Sequence, residues 1–306
     1  MIGGAGFIGT HVTLQLLAAG RDVVVLGRRV RQDTGVPPEA TYVSGDYGDR
    51  AVLGEVLRDA VEVIDLAYAT VPQTSFVDPI YDILANLPPS VQLLQEAVIA
   101  KARKVVLVSS GGTVYGNAHA LPIGEEHPTL PISPYGITKL TIEKYAGMFH
   151  QVAGLPVMIA RPANAYGEGQ RAFAGQGFVA TAVQSIIRGE KISIFGAEGT
   201  IRDYVHVSDV ASGIVAVLEH GSPGNAYNIG TGIGRSNLDV LRGLEPLAAR
   251  AGLKVRSERL PARRFDVSAN VLDSRKLTAI SGWRPQIDFA TGLERSWRAV
   301  AVDRKA

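Results

Sequence analysis

Short apolar runs alternate with longer amphipathic stretches through the first half of the chain. Apolar runs bounded by polar residues and glycine are typical of buried strands, and the stretches between them have the periodicity of helices. The predicted strands are Val23–Leu26, Tyr42–Val43, Val63–Ala67, Val105–Ser109 and Pro156–Arg161. The predicted helices are Thr10–Ala19, Arg50–Leu57, Pro88–Ala102 and Pro134–Ala153. This alternation predicts parallel βαβ units joined by right-handed crossovers.

The pattern changes after residue 162. The stretch 162–202 is rich in glycine and loop residues, with a predicted helix at Phe178–Arg188 and a short predicted strand at Lys191–Phe195. A helix at His206–Glu219 and a strand at Ala226–Ile229 then resume the first pattern. We expect these two elements to return to the first sheet.

Length and composition agree with this division. The chain has 306 residues, of which 46% are hydrophobic, which is enough for one large or two moderate α/β domains with a substantial core. We predict an α/β fold with a Rossmann-type doubly wound parallel sheet from residues 1–165, to which residues 203–230 return. We predict a smaller α/β domain from residues 166–202 and 231–306.

The charged residues, histidines and cysteines exclude several classes of function. Lysine and arginine number 31 and the acidic residues 29, so the net charge does not suggest nucleic acid as a partner. The chain has no cysteine, and its histidines lack metal-binding spacing, so we expect no metal site. No apolar stretch approaches the roughly 18 residues of a transmembrane helix. We therefore expect a cytoplasmic protein without a membrane partner.

A glycine-rich stretch precedes the first predicted helix. In a strand-turn-helix setting, Gly3 permits a tight turn, Gly6 lets the backbone approach a pyrophosphate, and Gly9 lets the helix lie close to the sheet. Together with the intervening Phe7 and Ile8, these glycines predict a dinucleotide site at the N-terminus of a helix.

Met1 and Ile2 are the residues of this chain that precede the turn, whereas a first parallel strand needs about five or six residues. We expect the natural chain to begin further upstream, because this strand would lie in the middle of the sheet. If the protein begins at Met1, the nucleotide domain should be weakened.

The residues after the predicted strand Val23–Leu26 bear on the choice of cofactor. An acidic side chain here normally hydrogen-bonds the ribose hydroxyls of NAD, but this chain has Gly27 followed by Arg28 and Arg29. Guanidinium groups suit a 2′-phosphate, although arginines here are also compatible with a solvated loop. The sequence therefore favours NADP and leaves NAD open.

The ends of the next two predicted strands are expected to line the cofactor groove. Asp46 and Tyr47 are placed to touch the adenine. Leu66, Ala67 and Tyr68 lie at the end of the later strand, and the small side chain among them would admit the cofactor.

Tyr135 and Lys139 are the candidates for catalysis. They lie four residues apart on one predicted helix and therefore face the same way. An adjacent ammonium and a cationic nicotinamide ring would both lower the pKa of the phenol from its usual value of about 10. Such a tyrosine can exchange a proton with a substrate hydroxyl while hydride moves to or from the ring.

Taken together, these motifs resemble the extended short-chain dehydrogenase/reductase superfamily and, within it, the nucleoside-diphosphate-sugar 4-epimerases. The resemblance covers essentially the whole chain. It rests on Gly3–Gly9, Ser109–Gly116, Tyr135 with Lys139, Arg161–Asn164 and Arg202–Asp209. It implies a Rossmann fold, a bound NAD or NADP, a nucleotide-sugar substrate and a homodimer.

The resemblance also identifies the residues around the reacting sugar. The family's substrate-polarising serine or threonine aligns with Gly111, which has no side chain. Ser110 is the nearest replacement, and Thr113 or a bound water is the next.

Other matched positions are expected beside the cofactor. Ser109 and Pro162 lie in matched motifs, and Asn86 matches an asparagine that shapes the family's active-site helix. The neighbouring Pro88 and Pro89 depart from the family pattern, and we expect them to bend the entry turn of that helix.

For the sugar nucleotide, the resemblance implies contacts from the second half of the chain. Asn164, Arg202 and Arg263 are expected at the diphosphate, and Phe195 at the base. Guanidinium groups bind phosphate through paired hydrogen bonds, and an aromatic face stacks on a base.

These residues leave three functions open. The first is a nucleoside-diphosphate-sugar 4-epimerase that acts through a 4-keto sugar and returns the hydride. The second is an NAD(P)H-dependent 4-ketoreductase or dehydrogenase of a deoxysugar nucleotide, in which the cofactor leaves after each cycle. The third, a non-catalytic NADP-binding scaffold, is suggested by the glycine at position 111.

Overall fold

The computed structural model describes residues 1–31, 34–172, 177–263 and 267–302. The helices are α1 (Phe7–Ala18), α2 (Arg50–Leu57), α3 (Pro72–Val77), α4 (Pro79–Ile99), α5 (Pro134–Ala153), α6 (Phe178–Arg188), α7 (Val207–His220), α8 (Asn237–Arg250), α9 (Arg275–Ser281) and α10 (Phe289–Val302). The strands are β1 (Val24–Gly27), β2 (Thr41–Ser44), β3 (Glu62–Asp65), β4 (Lys104–Val108), β5 (Val157–Pro162), β6 (Asn164–Tyr166), β7 (Ile192–Phe195), β8 (Ile201–His206), β9 (Ala226–Ile229), β10 (Gly234–Ser236), β11 (Ser257–Leu260) and β12 (Ala269–Asn270).

The main sheet is parallel and has helices on both faces. Strand β1 pairs with β2, and β3, β4, β5 and β9 follow one another in that order. Apolar residues of α1 and α7 form the core on one face, and those of α2, α4 and α5 form the core on the other. The predicted α/β fold with a Rossmann-type doubly wound sheet is therefore confirmed.

Ile2 joins the two parts of this sheet. It forms parallel bridges to Leu26 and Asp65, and its backbone hydrogen-bonds Ile64 and Leu66 at 2.9 and 3.0 Å. Its side chain is 1% exposed. The central position between β1 and β3 is thus occupied by Ile2, and the glycine turn begins directly at the middle of the sheet.

Helix α5 has the bounds that the sequence predicts, because both of its ends are capped. The hydroxyl of Ser133 accepts a hydrogen bond from the Gly136 amide at 3.1 Å, and Pro134 occupies the first turn. At the other end, Gly154 has a φ of 67°, a conformation that glycine adopts at little cost.

Helix α4 begins earlier than predicted, and the expected start at Pro88 is wrong. Its first turn is at Pro79, where the Asp78 carboxylate accepts a hydrogen bond from the Tyr81 amide at 2.8 Å. Pro88 and Pro89 lie inside the helix. The Asp78 cap and Pro79 in the first turn begin the helix nine residues before Pro88, so Pro88 and Pro89 do not form its entry turn.

The second half adds short strands that lie outside the main sheet. Strand β8 pairs with β6, β10 and β12, and β7 pairs with β11. A separate core forms between α6, α8 and α10 around residues such as Val183, Leu244 and Trp297. The domain bounds at residues 165, 203, 230 and beyond stay a prediction. Within the described ranges, no helix is long and apolar enough to span a membrane.

Candidate active site

The glycine turn forms a narrow entry to α1. Gly3 has a φ of 75°, and its carbonyl accepts a hydrogen bond from the Gly6 amide at 3.0 Å. A Cβ atom on Gly9 would lie 2.4 Å from the Gly3 carbonyl oxygen, so only glycine fits there without a shift. Gly6 is exposed and caps α1 without a side chain, and the first turn of α1 has no acidic residue. A helix start of this kind fits a pyrophosphate.

Phe7 and Ile8 differ in their surroundings. The Phe7 ring meets the His11 ring edge-on at 6.3 Å between centroids. Ile8 packs partly against the core behind the turn. Ile8 therefore supports the first turn of α1 from the side of the core.

The loop after β1 is tied to both β2 and the glycine turn. The Tyr42 hydroxyl donates to the Arg29 carbonyl at 2.7 Å, and Arg29 Nη2 donates to the Ala5 carbonyl at 2.8 Å. A Cβ on Gly27 would lie 2.7 Å from the Tyr42 hydroxyl, so an acidic side chain would need this phenol to move. Arg28 is exposed beside this loop.

Four other predicted groove residues lie at neighbouring strand ends. Asp46 is exposed, and its Oδ1 accepts a hydrogen bond from the Gly48 amide at 2.9 Å. Tyr47, Leu66 and Ala67 are half-buried. The Gly3 backbone approaches so closely that a Cβ on it would lie 2.9 Å from the Ala67 amide. The turn and the end of β3 therefore form one surface.

Asn86 stabilises this surface from its buried side. Its side chain is fully buried, and Oδ1 accepts a hydrogen bond from the Ala69 amide at 2.7 Å. Its Nδ2 donates to the Asp82 carbonyl at 2.7 Å. Asn86 thus fixes the loop after β3 through the backbone.

Tyr135, Lys139 and Tyr68 form the centre of the site. The rings of Tyr68 and Tyr135 meet edge-on at 4.8 Å between centroids. Lys139 Nζ lies 4.1 Å from the Tyr68 ring centroid and 6.0 Å from that of Tyr135. It donates a hydrogen bond to the Val108 carbonyl at 2.8 Å. The predicted pair therefore does come together, with Tyr68 against both members.

Burial dominates the ionisation of this pair. It lowers the pKa of Lys139 to about 8, against the opposing effect of Asp65, Glu143 and Asp82. Burial and then the charge of Asp82 raise the pKa of Tyr135, and a hydrogen bond with Ser110 opposes them. The direction for Tyr135 is opposite to the expectation from the Lys139 ammonium, because burial and the charge of Asp82 raise the pKa, and Lys139 Nζ lies 6.0 Å from the ring centroid.

The hydroxyl candidates lie in the turn after β4. Ser110 is half-buried, and its hydroxyl lies close enough to the Tyr135 phenol to lower the pKa of that phenol. A Cβ on Gly111 would lie 2.4 Å from Leu272 Cδ1 and 2.9 Å from the Arg161 carbonyl oxygen. Position 111 therefore has no room for the serine or threonine of the resemblance, and Ser110 is the hydroxyl beside the phenol.

Two more hydroxyls lie close by. In the described part of the chain, Ser109 Oγ and Thr113 Oγ1 are buried without a hydrogen-bond partner. Ser109 lines a small cavity together with Asp65, Tyr68 and Lys139. Unsatisfied buried hydroxyls are rare, so both are fitting contacts for a ligand, and the assignment of Ser109 to the cofactor stays a prediction.

A buried network behind the pair was not apparent from the sequence. Arg161 makes two hydrogen bonds to the Glu143 carboxylate, at 3.0 and 2.5 Å, and a third to the Tyr115 hydroxyl at 2.9 Å. Tyr115 in turn donates to Asn228 Oδ1 at 2.8 Å. Glu143 lies one turn after Lys139, so this network holds α5 against β5 and β9. Its members are far apart in the chain, and no local pattern marks them.

Pro162 and Asn270 fix the turn that carries Ser110 and Gly111. The Gly111 amide donates to the Pro162 carbonyl at 3.0 Å, and Asn270 Nδ2 donates to the Gly111 carbonyl at 3.0 Å. Asn270, on β12, was not predicted as a site residue. It lies opposite Arg202 in the pairing of β12 with β8, so the catalytic turn meets the second group of strands here.

The predicted sugar-nucleotide residues occupy two places. Asn164 lies on β6 and pairs with β8, which carries Arg202. A Cβ on Gly112, in the turn after β4, would lie 3.3 Å from Asn164 Oδ1. The guanidinium of Arg263 lies 4.0 Å from the ring centroid of Phe195. The residues that follow Arg263, numbered 264–266, are outside the described residues.

No group of three or more histidine, aspartate or glutamate side chains within the described ranges is arranged to hold a metal ion. The residues that fit a dinucleotide are instead the glycine turn, the orphaned Ser109 hydroxyl and Lys139.

Comparison with known proteins identifies the family. Residues 1–230 match the model of the NAD dependent epimerase/dehydratase family. The chain is 33% identical over 301 residues to the UDP-glucose 4-epimerase of Mycolicibacterium smegmatis, covering 96% of this chain and 95% of that protein.

Solved structures give the same result over the full length. The UDP-glucose 4-epimerase of Thermotoga maritima, solved with UDP-glucose, superposes with a TM-score of 0.92 at 29% identity, covering 99% of this chain and 98% of that one. The dTDP-glucose 4,6-dehydratase DesIV of Streptomyces venezuelae, solved with NAD, has a TM-score of 0.89 at 29% identity, covering 99% and 97% of the chains.

Proposed function

This chain belongs to the NAD dependent epimerase/dehydratase family, and from that premise we propose that it is a nucleoside-diphosphate-sugar 4-epimerase. The observation that carries the proposal is the arrangement of Tyr135, Lys139 and Ser110 at the carboxyl end of the parallel sheet, beside a glycine turn that fits a dinucleotide. Relatives named UDP-glucose 4-epimerase match the chain over nearly its whole length, which supports the same reaction class.

In the proposed reaction, Tyr135 acts as the base. Its phenolate takes the proton from the sugar 4-hydroxyl, and the C4–H bond breaks as the C4–O bond becomes a carbonyl. The bound nicotinamide would supply the acceptor and later the donor of this hydride. After the 4-keto sugar has turned, Tyr135 returns the proton to O4. The sugar is neither oxidised nor reduced overall, and C4 has inverted.

Ser110 and Lys139 have supporting roles in this proposal. The Ser110 hydroxyl lies beside the phenol and is placed to hydrogen-bond the sugar oxygen as its charge changes, which is where such a bond contributes most. Lys139 is 7% exposed and is held by the Val108 carbonyl. Its ammonium favours the phenolate and is placed to hold the ribose end of the dinucleotide.

On the substrate side, we propose that Asn164 and Arg202 contact the diphosphate and that Phe195 stacks on the base. The contact between Arg263 and Phe195 at 4.0 Å supports a shared location for these two. The Arg263 guanidinium can then hydrogen-bond a phosphate while it stacks on the Phe195 ring.

The cofactor is NAD or NADP, and the choice of NADP remains a prediction. Solved neighbours contain NAD. The exposed Arg28, and the lack of space for an acidic side chain at Gly27, support a site that also accepts a 2′-phosphate. A cytoplasmic location also stays a prediction from the sequence.

We further propose that the protein is a homodimer that pairs through α4 and α5. These two helices pack together and expose apolar side chains in stripes, among them Ile80 and Leu84 on α4 and Ile137 and Val152 on α5, each more than half exposed. A patch of this kind marks an interaction surface. Light scattering should give twice the chain mass, and Leu84→Glu should halve it. A parent protein of single-chain mass would refute this.

The main rival is a 4-ketoreductase, and the bound dinucleotide separates the two. An epimerase returns its hydride and keeps its cofactor, whereas a reductase must exchange it. Mass spectrometry of the purified protein after mild denaturation should release about one dinucleotide per chain and identify it as NAD or NADP. A protein that is purified empty, consumes added NADPH with a 4-keto sugar and does not interconvert UDP-glucose and UDP-galactose would contradict the proposal. A protein that binds the dinucleotide and turns over neither sugar would be the scaffold.

A further inference from the structure

Asp82 is a buried carboxylate on α4 that neither the sequence patterns nor the proposed reaction uses. Its side chain is fully buried. The Thr70 hydroxyl donates to Oδ1, and the Thr138 hydroxyl donates to Oδ2 at 2.6 Å. Thr70 follows β3 and Thr138 lies on α5, so one carboxylate joins two walls of the site to α4.

The surroundings of Asp82 make this junction rigid. The Asp82 carbonyl accepts a hydrogen bond from Asn86 Nδ2 at 2.7 Å, and Asn86 in turn accepts one from the Ala69 amide at 2.7 Å. The Tyr135 amide donates to the Ser75 hydroxyl of α3 at 3.1 Å. The loop after β3, α3, α4 and the first turn of α5 are therefore linked through buried polar groups.

The position of Thr138 places this charge beside the reacting pair. Thr138 is three residues after Tyr135 and precedes Lys139 on α5, and residues three apart are neighbours on a helix surface. The hydrogen bonds to the Asp82 side chain come from neutral hydroxyls. Burying a carboxylate costs free energy, and a neutral side chain could accept hydrogen bonds from the same two threonines. Packing alone therefore does not explain why a charged residue stands at this position.

We propose that Asp82 is a positioning residue for Tyr135: through the hydroxyls of Thr70 and Thr138 it fixes the first turn of α5 against the loop after β3 and so holds the phenol in place. The inference rests on the proposed function in that it takes Tyr135 as the base. The Asp82 carboxylate also raises the pKa of the phenol, so Asp82 sets the lower end of the pH range in which the enzyme works.

The other groups that face Tyr135 bear on the direction in which its pKa should move when Asp82 is replaced. The hydroxyl of Ser110, in the turn after β4, lowers the pKa of Tyr135, and Lys139 Nζ, on the same helix, lies 6.0 Å from the centroid of the Tyr135 ring. Tyr68, from the loop after β3, is neutral, and burial raises its pKa further. Burial lowers the pKa of Lys139, and Asp65 on β3, Glu143 on α5 and Asp82 itself oppose this change. Asp82 raises the pKa of Tyr135, so its removal should lower the pH at which the phenolate forms.

The test is a phenolate titration of the NAD-loaded protein, followed by ultraviolet absorbance and corrected with Tyr135→Phe in the same background. Asp82→Asn should move the Tyr135 midpoint to lower pH by about half a unit or more, the scale expected when a nearby like charge is removed. The acid limb of kcat should move by the same amount and in the same direction.

Asp209→Asn is the matched control, because Asp209 is also a buried carboxylate, bonded to the amides of Gln286 and Ile287 at 3.0 and 2.9 Å. It should lower the thermal midpoint without moving the phenolate midpoint. Asp82→Ser is a second uncharged variant, to be used if Asp82→Asn does not unfold cooperatively. A folded, uncharged variant whose phenolate midpoint is unchanged or higher would overturn the proposal. Since the titration contains no sugar, this result is independent of whether the protein is an epimerase.

Discussion

Lys139 and Arg263 are both long cations in the candidate site, but the fold holds them in different ways. Lys139 is 7% exposed, and its ammonium is fixed between the Val108 carbonyl and the Tyr68 ring. Arg263 is half-buried and rests on Phe195, a residue that is itself half-buried. The catalytic end is therefore built into the core, whereas the substrate end is made of long side chains near the surface. Changes at the first should affect turnover, and changes at the second should affect substrate affinity.

The largest effect is expected from Tyr135→Phe, which removes the proton carrier and keeps the ring against Tyr68. Turnover should fall by about 100-fold or more, the usual range for loss of a general acid–base group. Thermal unfolding and dinucleotide binding should stay near those of the parent. A kcat within about threefold of the parent would show that Tyr135 is not the base.

Ser110→Ala is expected to have the next largest effect. It should lower kcat by about tenfold or more with little change in KM, because its hydrogen bond strengthens as charge develops on the sugar oxygen. Thr113→Val is the matched variant, since Thr113 also has a buried hydroxyl in this turn. If Ser110→Ala leaves kcat unchanged and Thr113→Val lowers it, Thr113 is the hydroxyl that hydrogen-bonds the sugar oxygen.

Arg263→Ala should act on affinity and so sharpen the contrast between the two ends. We expect KM for the sugar nucleotide to rise about tenfold, the order of a lost charge-assisted hydrogen bond, with a smaller change in kcat. Arg250→Ala, at an exposed arginine at the end of α8, is the control. Equal effects of the two variants on KM would show that Arg263 supplies only general positive charge.

The smallest effect is expected from the double variant Arg28→Ala with Arg29→Ala. If these arginines grip a 2′-phosphate, the Kd for NADP should rise several-fold more than that for NAD. Since Arg29 also bonds the Ala5 carbonyl at 2.8 Å, the single variant Arg28→Ala separates phosphate contact from support of the glycine turn. Equal weakening of both dinucleotides by Arg28→Ala would contradict the preference for NADP.

The sequence was informative where the determinants are local. Helix α5 has its predicted bounds because Ser133 and Gly154 cap it, and the glycine turn is readable because its spacing follows from one backbone shape. Helix α4 was misplaced because Pro88 and Pro89 suggest a start, while the cap at Asp78 lies further upstream.

The remaining features depend on contacts between distant segments. Strands β10 and β12 have three and two residues, which is too short for a periodic signal. The pairing of Arg161 with Glu143, and the two hydroxyls on Asp82, join residues that no local spacing relates. The same holds for the sign of the pKa change at Tyr135, because burial cannot be read from the helix on which the residue lies.

The most direct test of the epimerase account follows the hydrogen on C4. Purified protein, without added dinucleotide, is incubated with UDP-glucose that carries deuterium at C4, and the products are read by NMR, with Tyr135→Phe in parallel. An epimerase that returns its own hydride should give UDP-galactose that retains its deuterium at C4, and Tyr135→Phe should give about 100-fold less of it. Deuterium that appears on free reduced cofactor would contradict the epimerase mechanism. So would a protein that holds its dinucleotide but inverts C4 of none of a panel of UDP- and dTDP-hexoses.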